Sequence, residues 1–258
     1  MVLSPHRLFA YGAGLASIAV LGGCWLFAAL GDVPTETGPS QGGDAGYGGP
    51  SRCDASSFAF CDGFEQGLGA WTQAAKGGGT LSVDSAHVAR GQFALHSKLP
   101  PVATAGATVQ AVVTHSQHWP QPMWVRFFLY LSPSGATHAS LTDLLTLNDT
   151  APLSGTNIYL LGDGGDVALA TFGASVGSMT AGALPTNEWA CLELEVDGAN
   201  AQIWINDAPI VKIAFPVDTV ALLANLGLNY VQAQVGDGDY DAWFDEFAVD
   251  DQYIACDR

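Results

Sequence analysis

From Phe58 onward, hydrophobic and polar residues alternate in short runs broken by Gly, Pro, Asn and Asp, and a helical period is almost absent. The clearest run, Met123 to Leu131, sends Met123, Val125, Phe127, Leu129 and Leu131 to one face and Trp124, Arg126, Phe128 and Tyr130 to the other. WACLELEVDGANAQIWIND reads as a hairpin. Leu192, Leu194 and Val196 meet Ile203 and Ile205 on its core face, Asp197 to Asn200 turn the chain, and Glu193, Glu195, Gln202 and Trp204 face away. Further strands are predicted at 80–83, 94–97, 107–114, 141–148, 157–161, 167–172, 210–215, 227–234 and 242–249, with about two helical turns at 219–226. So many strands require two packed sheets, and the pattern predicts an all-β, antiparallel sandwich.

Upstream the pattern changes twice. Leu8 to Leu30 carries no charge and follows Arg7, so it is long enough to span a bilayer or to act as an export signal, with residues 1–30 leaving the domain outside the cytosol. Within it, Leu21-Gly22-Gly23-Cys24 resembles the bacterial lipobox, which would make Cys24 a lipidation site. The apolar run Trp25 to Leu30 also allows an uncleaved anchor. Residues 31–52 are rich in Gly, Pro and Ser and read as a flexible tether, placing the folded domain at 53–258.

Cys53, Cys61, Cys191 and Cys256 form an even set outside the cytosol, which predicts two disulfides. Cys53 with Cys61 would close a short loop and leave Cys191 with Cys256, although three pairings are possible. The spacing lacks the close Cys-x-x-Cys pairs of a zinc site.

Composition narrows the partners. With 8 Lys+Arg against 25 Asp+Glu the chain cannot assemble the basic surface that nucleic acid or anionic lipid requires. Only 13% of residues are charged and 48% are hydrophobic, which is the balance of a globular domain and not of an acidic disordered tail.

Three stretches carry a family resemblance: FCDGFEQGLGAW at 60–71, the hairpin above, and WFDEFAVDDQYIAC at 243–256. Together they resemble the concanavalin-A-like jelly rolls, in particular the LamG-like and laminarinase-type members, over roughly residues 58 to 256. The resemblance implies that the first and last strands lie side by side. It also implies a structural calcium held by Glu65 after the first strand and Asp245 on the last, with Asp62 or carbonyls near Gly63 and Gly67 completing the shell. Calcium takes about 6–8 oxygens, so two carboxylates are a small part of such a set. The acidic run Asp237 to Asp241 begins like an EF-hand loop, but its twelfth position falls on Ala248, which has no side-chain oxygen.

Jelly rolls of this class bind or cleave glycans, and the fold alone does not choose. The Glu-x-Asp-x-x-Glu strand of the laminarinase-type hydrolases, whose carboxyl groups stand about 5–5.5 Å apart, is missing. A serine-hydrolase elbow is not expected either, because the pattern offers no helix to carry one. A polysaccharide lyase acting on a uronate-containing glycan could use Arg126 to neutralise the carboxylate and Tyr130 or His138 to take the proton. The competing account is that Trp124, Phe128 and Tyr130 pack beneath a loop and Arg126 pairs with an acid. A carbohydrate-binding surface needs less: Trp124, Arg126 and Tyr130, with Gln202 and Trp204 beside them, offer rings and polar groups for a sugar. The expectation is a cell-envelope glycan-binding domain anchored at its N-terminus, with the lyase and a ligand-free structural domain as alternatives.

Overall fold

The computed structural model describes residues 47–119, 122–133, 142–149, 155–161, 166–171, 177–180, 182–214, 222–230, 233–236 and 239–256. Cys24, His138 and the leader lie outside the described residues. The described strands are β1 (Phe60–Asp62), β2 (Thr72–Lys76), β3 (Thr80–Asp84), β4 (Ala94–Leu99), β5 (Gln110–Gln117), β6 (Met123–Pro133), β7 (Thr142–Asp149), β8 (Gly155–Leu161), β9 (Asp166–Thr171), β10 (Gly177–Thr180), β11 (Trp189–Val196), β12 (Asn200–Ile205), β13 (Ala208–Ala214), β14 (Leu222–Tyr230) and β15 (Tyr240–Asp250). The first sheet runs β13-β12-β11-β6-β15-β4-β3, with β1 also on β15, and the second runs β10-β9-β8-β7-β14-β5-β2. Pairing is antiparallel throughout these ladders, as the alternating pattern requires.

The core forms where the alternation places it. Met123, Val125, Phe127, Leu129 and Leu131 face Val113, Leu145, Leu147, Leu226 and Leu228 of the opposing sheet in one buried cluster. Each such side chain contributes about 1.5–3 kcal/mol by leaving water. The hairpin also follows the predicted register, with Leu192 opposite Ile205 and Leu194 opposite Ile203. Its sequel, Asn206-Asp207, turns into β13 with both φ angles positive (52° and 65°). Asn and Asp tolerate that conformation, which is the twist-matched geometry for a two-residue hairpin loop.

One local prediction fails. The segment expected to be helical contributes to β14 from Leu222, because that strand sits between β5 and β7 and its backbone groups are paired on both sides. Burial in a central ladder position outweighs a short apolar spacing that also suits a helix turn.

The chain ends close on the first sheet. Phe60, Cys61 and Asp62 pair with Val249, Ala248 and Phe247, so the first and last strands are neighbours. The disulfides join Cys53 to Cys61 and Cys191 to Cys256. Upstream of the Cys53 boundary, the Tyr47 ring packs at a tilt against Phe128 with centroids 4.4 Å apart and its hydroxyl donates to Asn206 Oδ1, so residues 47–52 pack with the domain and do not belong to a free tether. The opening stretch is a plug. Asp62 accepts from the Phe64 amide (2.7 Å) and the Trp71 indole (2.8 Å), and Phe64 and Trp71 are buried.

Candidate functional site

The outer face of the first sheet carries the ring-and-arginine strand of β6. Arg126 has 0% exposure, and its Nη2 reaches Glu246 Oε2 at 3.5 Å and the Glu246 carbonyl at 3.3 Å. Glu246 adopts φ +52° at a bulge in β15, and its carboxylate also accepts the Arg52 amide through both oxygens (3.1 and 3.0 Å). Tyr130 is buried too, stacked on His87 at 3.9 Å and set against Trp189 and Trp243. With the Cys191–Cys256 disulfide and Phe128, these residues form a second small core beneath the chain ends and the β3–β4 loop. Neither Arg126 nor Tyr130 therefore faces an open groove, which corrects their assignment to a sugar- or uronate-facing surface. Packing took these side chains because every ring on this face found an apolar neighbour. Trp124 and Trp204 remain half-buried beside Gln202 at the far end of the face.

Glu65 and Asp245 converge on one loop. Glu65 Oε1 accepts the amides of Gln92 (2.8 Å) and Phe93 (3.2 Å), while Asp245 Oδ2 accepts those of Ala89 and Arg90 (both 3.0 Å) and Oδ1 that of Glu246 (2.7 Å). Gly91, at φ +76°, lies so close to Glu65 Oε1 that any side chain there would collide with it. Burial drives the Asp245 carboxyl well above the ordinary range, the nearby Glu246 adds to this, and the amide donors oppose it. The hard oxygens suit calcium in kind. Asp62, however, spends both oxygens on Phe64 and Trp71 and does not complete a shell.

The outer face of the second sheet is different. β2, β5, β14 and β7 line a cleft of about 250 Å³ with Ala74, Gln110, Val112, Thr114, Asp143, Thr146, Asn225, Gly227 and Asn229. The volume lies just under the range of about 300–1,000 Å³ usual for drug-sized ligands. Antiparallel register arranges the lining in tiers: Thr114, Asn225 and Thr146 across one, Val112 and Gly227 across the next, and Gln110, Asn229 and Asp143 across the third. Thr114 Oγ1 donates to Asn225 Oδ1 (2.7 Å), and Asn229 Nδ2 donates to Asp143 Oδ2 (2.9 Å). Gly227, with φ +129°, forms the floor between the polar tiers, and a Cβ there would strike the Ala111 carbonyl.

Asp143 is the chemical centre of this cleft. It is 8% exposed, and its Oδ1 is buried without a hydrogen-bond partner. Burial lifts its pKa to about 7, against the pull of hydrogen bonds from Asn229 and Thr146. Near neutral pH it can therefore donate as a carboxylic acid or accept as a carboxylate. Register also sets Tyr159 of β8 directly opposite it. Sequence reasoning missed this set because Thr, Asn and Asp on a strand read as an ordinary solvated face. Two signals were present: Asn225-x-Gly227-x-Asn229 at period two, and the doubled Leu144-Leu145 after Asp143, where the β7–β8 register shifts and both leucines enter the core.

No protein-family model matches the sequence, and no curated protein does. Among solved structures, the chain is similar to the endo-β-1,4-glucuronan lyase of the fungus Trichoderma reesei, with TM-score 0.60, 16% identity, and 76% of this chain and 96% of that one covered. It is also similar to the cellulose-induced protein Cip1, with TM-score 0.61, 17% identity, and 76% and 99% covered. A structure described with endo-acting O-glycanases, which prominent members of the human gut microbiota express to initiate mucin breakdown, gives TM-score 0.54, 10% identity, and 76% and 100% covered. At these identities the likeness is one of fold: the folded part of this chain is a two-sheet, antiparallel jelly-roll sandwich.

Proposed function

We propose that the protein binds a polysaccharide or cell-surface glycan in the cleft on the outer face of the second sheet. The observation that carries this reading is Asp143 Oδ1, a buried oxygen without a partner, at the end of a row of amides and hydroxyls. Leaving such an atom unpaired costs about 1–3 kcal/mol, which a sugar hydroxyl would recover on binding. Gln110, Asn225 and Asn229 offer both donors and acceptors at spacings set by the strands, and Gly227 leaves room for a ring between the tiers. The glycan-related activities named for the structural neighbours agree with a saccharide ligand.

The lyase reading is retained as the second, on one observation: Asp143, a carboxyl group that titrates near neutrality, lines an open cleft where it could take or return a proton. Arg126 and Tyr130 have no part in it.

Two further elements belong to the same reading. Glu65 and Asp245 would hold calcium, which would supply a cation tying the loop at 89–93 to both chain ends. The N-terminal segment would anchor the domain in the cell envelope, through a lipid on Cys24 or through the apolar stretch itself, and metabolic labelling with a fatty acid distinguishes the two.

The test is a glycan-array and calorimetric survey of the full chain, with calcium and with chelator, while absorbance is monitored for unsaturated products. Saturable binding without product is the expected result, together with a higher melting temperature in calcium. Product formation moves the protein to the lyase class. Silence on every glycan refutes the proposal, and equal melting with chelator removes calcium from it.

A further inference from the structure

Away from the cleft, the far end of the first sheet's outer face keeps a cluster that packing does not account for. Glu193 of β11 lies in register between Trp204 of β12 and Arg126 of β6, and Glu195 lies between Gln202 and Trp124. The Trp124 and Trp204 rings meet across β11 at 5.2 Å, and Tyr253 sets its edge on Trp124 at 4.9 Å. Glu193 is 1% exposed, yet neither carboxylate oxygen has a partner in hydrogen-bonding geometry. The Tyr253 hydroxyl, which bonds Asp207 Oδ1 at 3.3 Å, and the Asp207 amide both approach Glu193, and the Arg126 charge acts on it from the neighbouring strand.

Asp207 is exposed, and an oxygen of its carboxylate, an oxygen of Glu193 and the sulfur of Cys256 lie within 4.8 Å of one another. The sulfur belongs to a disulfide and is not a thiolate. Two carboxylates beside it fall well short of a calcium shell. Aromatic rings next to one buried and one exposed carboxylate instead suit an organic cation, whose charge the acids neutralise and whose apolar body the rings cover. Half-buried tryptophans and the Gln202 amide add what a pyranose requires, namely a flat apolar surface and a partner for hydroxyls. The chain's formal charge of −17 further favours a cationic ligand over an anionic one.

We propose that Trp124, Trp204, Tyr253, Asp207 and Glu193 form a second saccharide site, selective for a protonated amino sugar. The ammonium pairs with Asp207 at the surface, with the Glu193 charge directly behind it, and the sugar face rests on the tryptophan rings. This site is independent of the cleft, and its ligand differs from a neutral or acidic glycan by a positive charge.

The experiment is a tryptophan-fluorescence and calorimetric titration of the full chain with a β-1,4-linked glucosamine tetramer and with its N-acetylated counterpart, at low salt and mildly acidic pH. The expected result is saturable quenching by the free amine and binding of the acetylated sugar at least about tenfold weaker. Asp207→Asn and Glu193→Gln should each weaken the amine sugar about tenfold, and two variants guard against misfolding of either. Asn229→Ala in the cleft should leave this titration unchanged. Equal affinity for both sugars, unaltered binding in both acid variants, full competition by pentalysine, or loss of binding in Asn229→Ala would each overturn the assignment.

Discussion

The two sheets share one core but treat their outer faces in opposite ways. On the first, the rings of Phe128, Tyr130, Trp189 and Trp243 and the guanidinium of Arg126 are roofed by the chain ends and the β3–β4 loop. On the second, Thr, Asn, Gln and Asp side chains line an open cleft. A strand rich in aromatics, with one arginine, looks like a binding surface in sequence, yet those groups gain most by burial, and chain ends that cover them complete a third layer. The face left open carries small polar groups, some of them hydrogen-bonded to one another.

The largest effect should come from the roofed face. Arg126→Ala leaves the Glu246 carboxylate buried beside the Arg52 amide without its cation, and removal of one partner of a buried pair costs about 3–5 kcal/mol. Urea denaturation should show that loss, while glycan affinity at the cleft, measured under folding conditions, should remain within about twofold, since each 1.4 kcal/mol is a tenfold change. A large loss of affinity in folded Arg126→Ala would show that the two faces are not separate.

Next is the pH dependence of stability. The Asp143 pKa is about 7 in the folded state against an ordinary 3.8, so between these values the native state holds a proton that the unfolded chain has released. Its contribution is fully present below pH 4 and is lost as pH rises through 7, with a size on the order of 4 kcal/mol. Asp143→Asn should flatten that part of the stability profile between pH 4 and 7. An unchanged slope would mean that Asp143 is solvated and that the cleft is wetter than its burial implies.

The smallest effect concerns affinity alone. Asn229→Ala removes the amide that orients Asp143 and should weaken glycan binding about tenfold, or 1–1.5 kcal/mol, with little loss of folding stability. His87→Ala, which removes a ring stacked on Tyr130 in the roofed face, should leave that affinity alone.

These contrasts also explain what was legible in sequence. β6, β11 and β12 were readable because one face of each is pure hydrocarbon, and period two then sets both the strand and its inward side. β2 and β10 are short and poor in large apolar residues, so nothing in their pattern marks them, and β1 was reached only through the family resemblance of residues 60–71. β14 was misread because Leu222, Leu223 and Leu226 suit a helical turn as well as a strand, and only its two neighbours decide. For the disulfides, loop length favoured the observed pairing. The site was the hardest part. The residues that stood out, Trp, Tyr and Arg, are conspicuous because they are large, and large side chains are the ones packing claims. Asp143 became informative only when its burial and its unpaired oxygen could be seen together.

The pairing of β1 with β15, and the disulfide that pins Cys256 to Cys191, bring entry and exit of the folded chain to the first sheet. The cleft opens on the other. A support, a label or a partner joined directly at the first or last described residue, Tyr47 or Cys256, therefore meets the domain on the side of the first sheet, and the polar cleft is presented on the other, as on a brush whose handle and bristles lie on opposite sides.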